Sequence, residues 1–164
     1  DFRSLERTFQ MTTQVSGRAG RRDVKGKVII QTRDTDQGIL KLIQNHEFLR
    51  FYQGEMFERE QYNYPPYTRM IHLLIRSKDK KLTNETARFI ANLLKEDLSP
   101  KRVLGPQEPL INKIRDKYLM DVYLKIERKY KIEAVKDIIR SAQMELLKKK
   151  EFSSVEVVLN IDPY

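Results

Sequence analysis

Met120-Asp121-Val122-Tyr123-Leu124-Lys125-Ile126 alternates with a period of two. Met120, Val122, Leu124 and Ile126 fall on one face of a strand, and Leu119, Asp121, Tyr123 and Lys125 on the other. Downstream, Ile132, Val135, Ile139, Ala142 and Leu146 recur in alternating steps of three and four, the strongest helical pattern in the chain. Val155, Val157, Leu159 and Ile161 alternate again and predict a last strand. Upstream, Ile71, Leu73 and Ile75 alternate with Met70, His72 and Leu74 as in a well-buried strand. Leu82, Phe89, Ile90, Leu93 and Leu94 then form a helical stripe that Pro100 helps to stop, and Arg102 to Leu104 allow only a short strand before Gly105-Pro106. The predicted order of strand, helix, strand, strand, helix, strand is the split βαβ arrangement of ferredoxin-like domains. An α+β domain is expected over residues 61–164.

Before this domain, Tyr62 to Tyr67 contains Pro65-Pro66, which removes backbone donors and restricts the preceding residue, so a linker and a domain boundary are expected there. Tyr62, Tyr64 and Tyr67 either pin that linker or stack on bases. Residues 1–60 read differently. Phe2, Leu5, Phe9 and Thr12 predict a short amphipathic helix that docks on an adjacent sheet and delivers Gln14 to a turn. Val28, Ile29, Ile30 and Thr32 favour a strand through their branched side chains. From Asp36 the pattern is helical, with Ile39, Leu40, Ile43, Phe48, Leu49, Tyr52, Met56 and Phe57 as packing residues.

The chain has 164 residues, with 32 Lys and Arg against 23 Asp and Glu, a formal net charge of +9. That excess suits a polyanionic partner such as nucleic acid, and equally serves solubility. The absence of cysteine excludes disulfides and thiolate zinc sites within these residues. No apolar run is long enough to span a bilayer and no secretory signal pattern is present, so a cytoplasmic protein without membrane association is expected. A start at Asp1 without an initiator Met implies a larger parent protein.

The stretch Gln14-Val15-Ser16-Gly17-Arg18-Ala19-Gly20-Arg21 carries the chemistry. Gly17 and Gly20 can bend the backbone closely around a ligand. Gln14, Arg18 and Arg21 offer an amide and two guanidinium forks that match phosphate oxygens bidentately. A pair of arginines at a nucleotide can neutralise charge developing on a transferred phosphoryl group, which is arginine-finger chemistry. The plain alternative is a basic turn after a helix. The longer string, Gln-x-x-Gly-Arg-Ala-Gly-Arg, resembles motif VI of superfamily 2 helicases. Asp1 to Ser4 with Glu6-Arg7, Thr13 to Arg21, Gly26-Lys27-Val28 and Gln31-Thr32 are similar to the PriA (primosomal protein N') helicase family of bacterial replication restart. Tyr64-Pro65-Pro66-Tyr67, Val103-Leu104-Gly105-Pro106 and Asn160-Ile161-Asp162-Pro163 resemble further marks of that family, in the right order.

The resemblance implies the C-terminal portion of an ATP-dependent helicase with 3' to 5' polarity, beginning in a RecA-like lobe. It implies that Gln14, Gly17, Arg18 and Arg21 bind ATP phosphates, with Arg18 and Arg21 catalytic and Arg21 the finger. It also implies an S10-like C-terminal domain, ATP and Mg2+ held largely by upstream residues, and Zn2+ only in an upstream insertion. Implied partners are forked and single-stranded DNA, single-stranded DNA-binding protein (SSB) and other primosome proteins, in the bacterial nucleoid. Lys113, Arg115, Lys117 and Lys136 are the residues it suggests for DNA or the SSB tail. Only a basic residue at Lys136 survives from the family's pair on the last helix. These residues are expected not to hydrolyse ATP by themselves. No glycine-rich loop ending in Lys and Ser or Thr occurs; Gly20 to Lys27 is one residue too long, and Val28 stands where the magnesium-binding hydroxyl belongs.

Two other readings stay open: a RecG-like translocase, and a free-standing S10-like nucleic-acid or protein-binding module. His46 and His72 are far apart in sequence and without metal-ligand company, so both are expected to be structural or surface residues. Glu127 beside Arg128 and Glu133 beside Lys136 are expected to be solvated ion pairs.

Overall fold

A computed structural model describes residues 2–19 and 27–163. The chain divides into two compact units, Asp1–Tyr62 and Asn63–Tyr164.

The second unit is an antiparallel sheet covered on one face by two helices. Its elements are β1 (Thr68–Ser77), α4 (Lys80–Leu98), β2 (Val103–Gln107), β3 (Lys113–Ile114), β4 (Lys117–Glu127), α5 (Ile132–Leu147) and β5 (Glu156–Ile161). The strand order is β2-β4-β1-β5, with β3 paired to β4. With β3 set aside as a hairpin extension, this is the order a ferredoxin-like split βαβ domain produces. The alternation seen in sequence sets the register. Leu73 lies opposite Val122 and Leu159, and Ile75 opposite Met120 and Val157, so the apolar side chains of three strands share one face. Onto that face α4 presents Ala87, Ile90, Ala91 and Leu94, and α5 presents Val135, Ile139 and Ala142. Small Ala87 and Ala91 let α4 approach the sheet closely. The apolar stripe read from sequence had left out both of them, and also the buried Thr83 and Thr86.

Local chemistry fixes the ends of α4. Asp79 is its N-cap, with Oδ1 accepting from the Leu82 amide at 3.0 Å. Ser77 and Thr83 share a hydroxyl hydrogen bond of 2.8 Å beneath it. Ser99 and Pro100 end the helix, and a single 3-10 turn over Pro100–Arg102 leads into β2. The second face of the sheet bears no helix of this unit; Met70, His72 and Leu74 from β1 meet Asp121, Tyr123 and Lys125 from β4 there. The chain terminus is tied back to this sheet, since the Asp162 amide donates to the Met70 carbonyl at 2.8 Å and Asp162 Oδ1 accepts from the Met70 amide at 3.2 Å.

The first unit contains α1 (Ser4–Arg18), α2 (Gly38–Gln44) and α3 (Phe48–Gln61). Phe9 of α1 is buried with Ile39, Ile43 and Phe51, and its ring stacks on Phe51 at 4.5 Å between centroids. Glu6 accepts from Arg3 at 3.0 Å and from Arg59 at 2.8 Å. Burial opposes the Glu6 charge, but the two guanidinium groups outweigh it and hold the carboxyl below its ordinary value.

Among the described residues α1 packs its Phe9 on α2 and α3. Residues 28–32 are irregular and largely exposed instead of a strand, since branched side chains favour a pleat only where a neighbouring strand completes the hydrogen bonds. The described residues of the first unit contain no strand.

Candidate nucleotide and nucleic-acid interfaces

Gln14, Gly17 and Arg18 lie in the last turns of α1, all exposed. A helical backbone puts Gln14 and Arg18, four residues apart, on one face. The expected bend at Gly17 is therefore absent: Gly17 is helical, and a Cβ added there would meet nothing within 4 Å. The Ser16 hydroxyl donates back to the Thr12 carbonyl within this helical turn. Arg18 stands at the C-terminal end of the helix, where the macrodipole favours a cation. Gly20 and Arg21 lie outside the described residues.

Lys113, Arg115 and Lys117 gather on the tight β3–β4 hairpin, an element too short for periodicity to mark. Arg115 and Asp116 form its tip with φ of 47° and 63°, the left-handed pair of a two-residue I′ turn. Lys113 is 3.7 Å from Asp116, and its ammonium lies 5.0 Å from the Tyr118 ring centroid. Lys117 pairs with Glu156. Arg115 has no such carboxylate partner among the described residues, so it is the freest cation of the three there. Next to the hairpin, Leu110, Ile111 and Ile114 are all exposed. Lys136 is on α5, paired with Glu133 at 2.8 Å as expected, away from the hairpin element.

Around His72, Nε2–H donates to Asp121 Oδ1 at 2.8 Å, and the ring stacks on Tyr123 at 4.5 Å. This histidine is part of the sheet's open face, which forms a shallow groove with Leu159, Asn160, Ile161 and Pro163. No group of three or more His, Cys, Asp or Glu suited to a metal ion occurs among the described residues. No described helix is long and apolar enough to cross a membrane. Tyr64 has its ring under the Lys125 ammonium at 3.6 Å, a contact that suits the linker-pinning reading. Burial pushes Lys125 below its ordinary value.

A second basic cluster emerges where β4 turns into α5. Arg102 reaches from the 3-10 turn to Glu127, with Nε at 2.7 Å from one carboxylate oxygen and an η nitrogen at 3.0 Å from the other. It also donates to the Tyr130 hydroxyl at 2.6 Å and stacks over that ring at 4.4 Å. The expected Glu127–Arg128 pair is thus corrected. The Arg102 hydrogen bonds, chiefly, hold the Glu127 carboxyl below its ordinary value. Arg128, Lys129, Lys131 and Lys101 remain exposed around this clamp. A signal was present in the run Arg128-Lys129-Tyr130-Lys131, but only the fold shows that Arg102 takes its one acidic neighbour out of play.

Comparison with known proteins covers both units. The Primosomal protein N C-terminal domain family matches residues 60–164. Over its whole length the chain is 34% identical to Replication restart protein PriA of Bacillus subtilis, covering 20% of that protein. It is 35% identical to Replication restart protein PriA of Synechocystis, with 99% of this chain and 19% of that protein aligned. A third relative, Replication restart protein PriA of Thermotoga maritima, is 35% identical over 127 residues, 77% of this chain and 17% of that protein. The chain therefore spans about a fifth of the length of the relatives it matches.

Proposed function

The chain belongs to the PriA family, as a C-terminal portion, and on that footing we propose that its parent protein is an ATP-dependent 3' to 5' DNA helicase acting in replication restart. The observation that carries this reading is the string Gln14 to Arg21, two guanidinium forks and an amide in the order of a helicase motif VI, upstream of the family's C-terminal domain. In this reading, residues 1–60 complete a RecA-like lobe whose sheet is supplied by upstream sequence. Gln14, Gly17, Arg18 and Arg21 face the phosphates of ATP bound with Mg2+ by the preceding lobe. Closing the cleft adds the Arg21 charge only when nucleotide is present, which couples hydrolysis to lobe motion and so to strand translocation. The helix carrying Gln14 and Arg18 suits this work, since one rigid face holds both groups in a fixed relation.

Residues 61–164 serve as a binding module for forked and single-stranded DNA, with Lys113, Arg115 and Lys117 on a projecting hairpin as contacts. SSB and other primosome proteins are further proposed partners, with Lys136 at the SSB tail. Zn2+ belongs to upstream sequence, and the nucleoid is the proposed site of action. Fork-stimulated ATP hydrolysis and strand separation by the full-length protein test the reading. Unwinding from the 3' side that requires ATP is expected. A protein that binds forked DNA equally well with and without nucleotide, and never hydrolyses it, would instead be a binding module.

A further inference from the structure

The β4–α5 turn has no role in any of these contacts, yet it gathers several exposed cations within a few residues. Elsewhere in that unit the exposed cations are mostly paired: Lys80 with Glu108 at 3.0 Å, Lys136 with Glu133 at 2.8 Å, Arg140 with Asp137 at 3.1 Å and Lys148 with Glu145 at 2.6 Å. Lys101, Arg128, Lys129 and Lys131 have no ion pair among the described residues. Between Asp121 and Glu133 the sole acid is Glu127, and the Arg102 fork occupies both its oxygens. Glu133 is held by Lys136. Lys129 keeps only a through-space attraction to Glu127, along with a place 5.6 Å from the Tyr130 ring centroid.

Arg102 and Tyr130 thus form a rigid base beneath a set of unpaired, solvent-facing cations. Unpaired cations matter because a lysine already neutralised by a carboxylate must give up that partner to meet a phosphate, whereas a free one releases counterions from the nucleic acid outright. Resting on the proposed function, we propose that Arg128, Lys129 and Lys131, with Lys101 beside them, form a phosphate-backbone site by which this domain holds nucleic acid. The site reads charge spacing rather than base identity. Two of its three cations on the turn are lysines, point charges without a fork for base edges, and the Tyr130 ring is engaged by the Arg102 guanidinium. An acidic peptide is the rival occupant, and the test separates the two.

The test uses the full-length protein and a fluorescent forked duplex, with affinity measured across a range of salt. Four proteins are compared: wild type, the triple variant Arg128→Gln/Lys129→Gln/Lys131→Gln, the charge-matched triple variant Lys148→Gln/Lys149→Gln/Lys150→Gln just past the far end of α5, and Arg128→Lys. Each phosphate contact contributes about 0.9 to the log-log salt slope, so the turn variant is expected to lose up to about 2.7 and the control much less. An Arg128→Lys protein should keep the wild-type slope, which separates lost charge from lost folding. Equal slopes in wild type and turn variant, or an equal loss in the control, would overturn the proposal. So would a turn variant that binds DNA normally but no longer binds an oligoglutamate peptide, since that outcome assigns the turn to a protein partner. Wild-type protein that binds forked DNA but never hydrolyses ATP would defeat the helicase reading and leave this site standing.

Discussion

Gly105 shows how much one residue can fix. Its φ of +97° is a conformation that side-chain-bearing residues rarely adopt, and a Cβ there would lie 2.8 Å from the Asp121 carbonyl oxygen and 3.2 Å from the Gln107 amide nitrogen. The neighbours are backbone and cannot swing away. Gly105→Ala should therefore cost about 1–3 kcal/mol through backbone strain alone, before the clash is counted. Thermal unfolding of the 164-residue chain checks this, with a fall in midpoint expected. Glu127 offers a second test at this scale. Its carboxyl is held below the ordinary value by Arg102, so the pair's contribution is fully present above the unfolded carboxylate value and is lost as pH falls through the lower folded one. Glu127→Gln should destabilise the chain at neutral pH, by no more than about 1 kcal/mol for so exposed a pair. The difference between variant and wild type should vanish in acid, as read from denaturant midpoints along a pH series.

Among the elements, α5 has an end that sequence rules would have written differently. Its N-cap is Lys131, with no side-chain hydrogen bond to the first turn, and a cation there opposes the helix dipole. Lys131 has the extended backbone of an N-cap, so Lys131→Ser fits without rearrangement and should stabilise the chain by about 1 kcal/mol. The same substitution should weaken nucleic-acid binding, so a gain in unfolding midpoint with a loss of affinity is the expected combination. The long elements were legible because burial imposes a period. Met120 to Ile126 and Ile132 to Leu146 each bury one face against the same core, and the pattern survives in the residues. Residues 28–32 carry the composition of a strand but no pairing partner among the described residues, and composition cannot supply one. The two-residue β3 was invisible for the opposite reason, since its pairing is dictated by the Arg115-Asp116 turn rather than by an apolar face.

At the scale of the molecule, the two units carry their information differently. The ferredoxin-like unit was readable from periodicity, while its bare cationic turn needed the observation that Arg102, distant in sequence, captures Glu127. The first unit gives a chemical string without the surroundings that would use it. Gln14 and Arg18 sit on a helix with no phosphate pocket of their own among the described residues, and Arg21 lies outside them. Its proposed role therefore depends on a partner lobe, and only the full-length protein can display it. The most direct measurement is fork-stimulated ATP hydrolysis by that protein, wild type against Arg21→Ala, with nucleotide and DNA affinities determined for both. The account predicts that turnover falls by on the order of a thousandfold or more while both affinities persist, as for loss of an arginine finger. Unchanged turnover would contradict it, leaving Gln14 to Arg21 as a basic helix end and the C-terminal unit as the functional part of this chain.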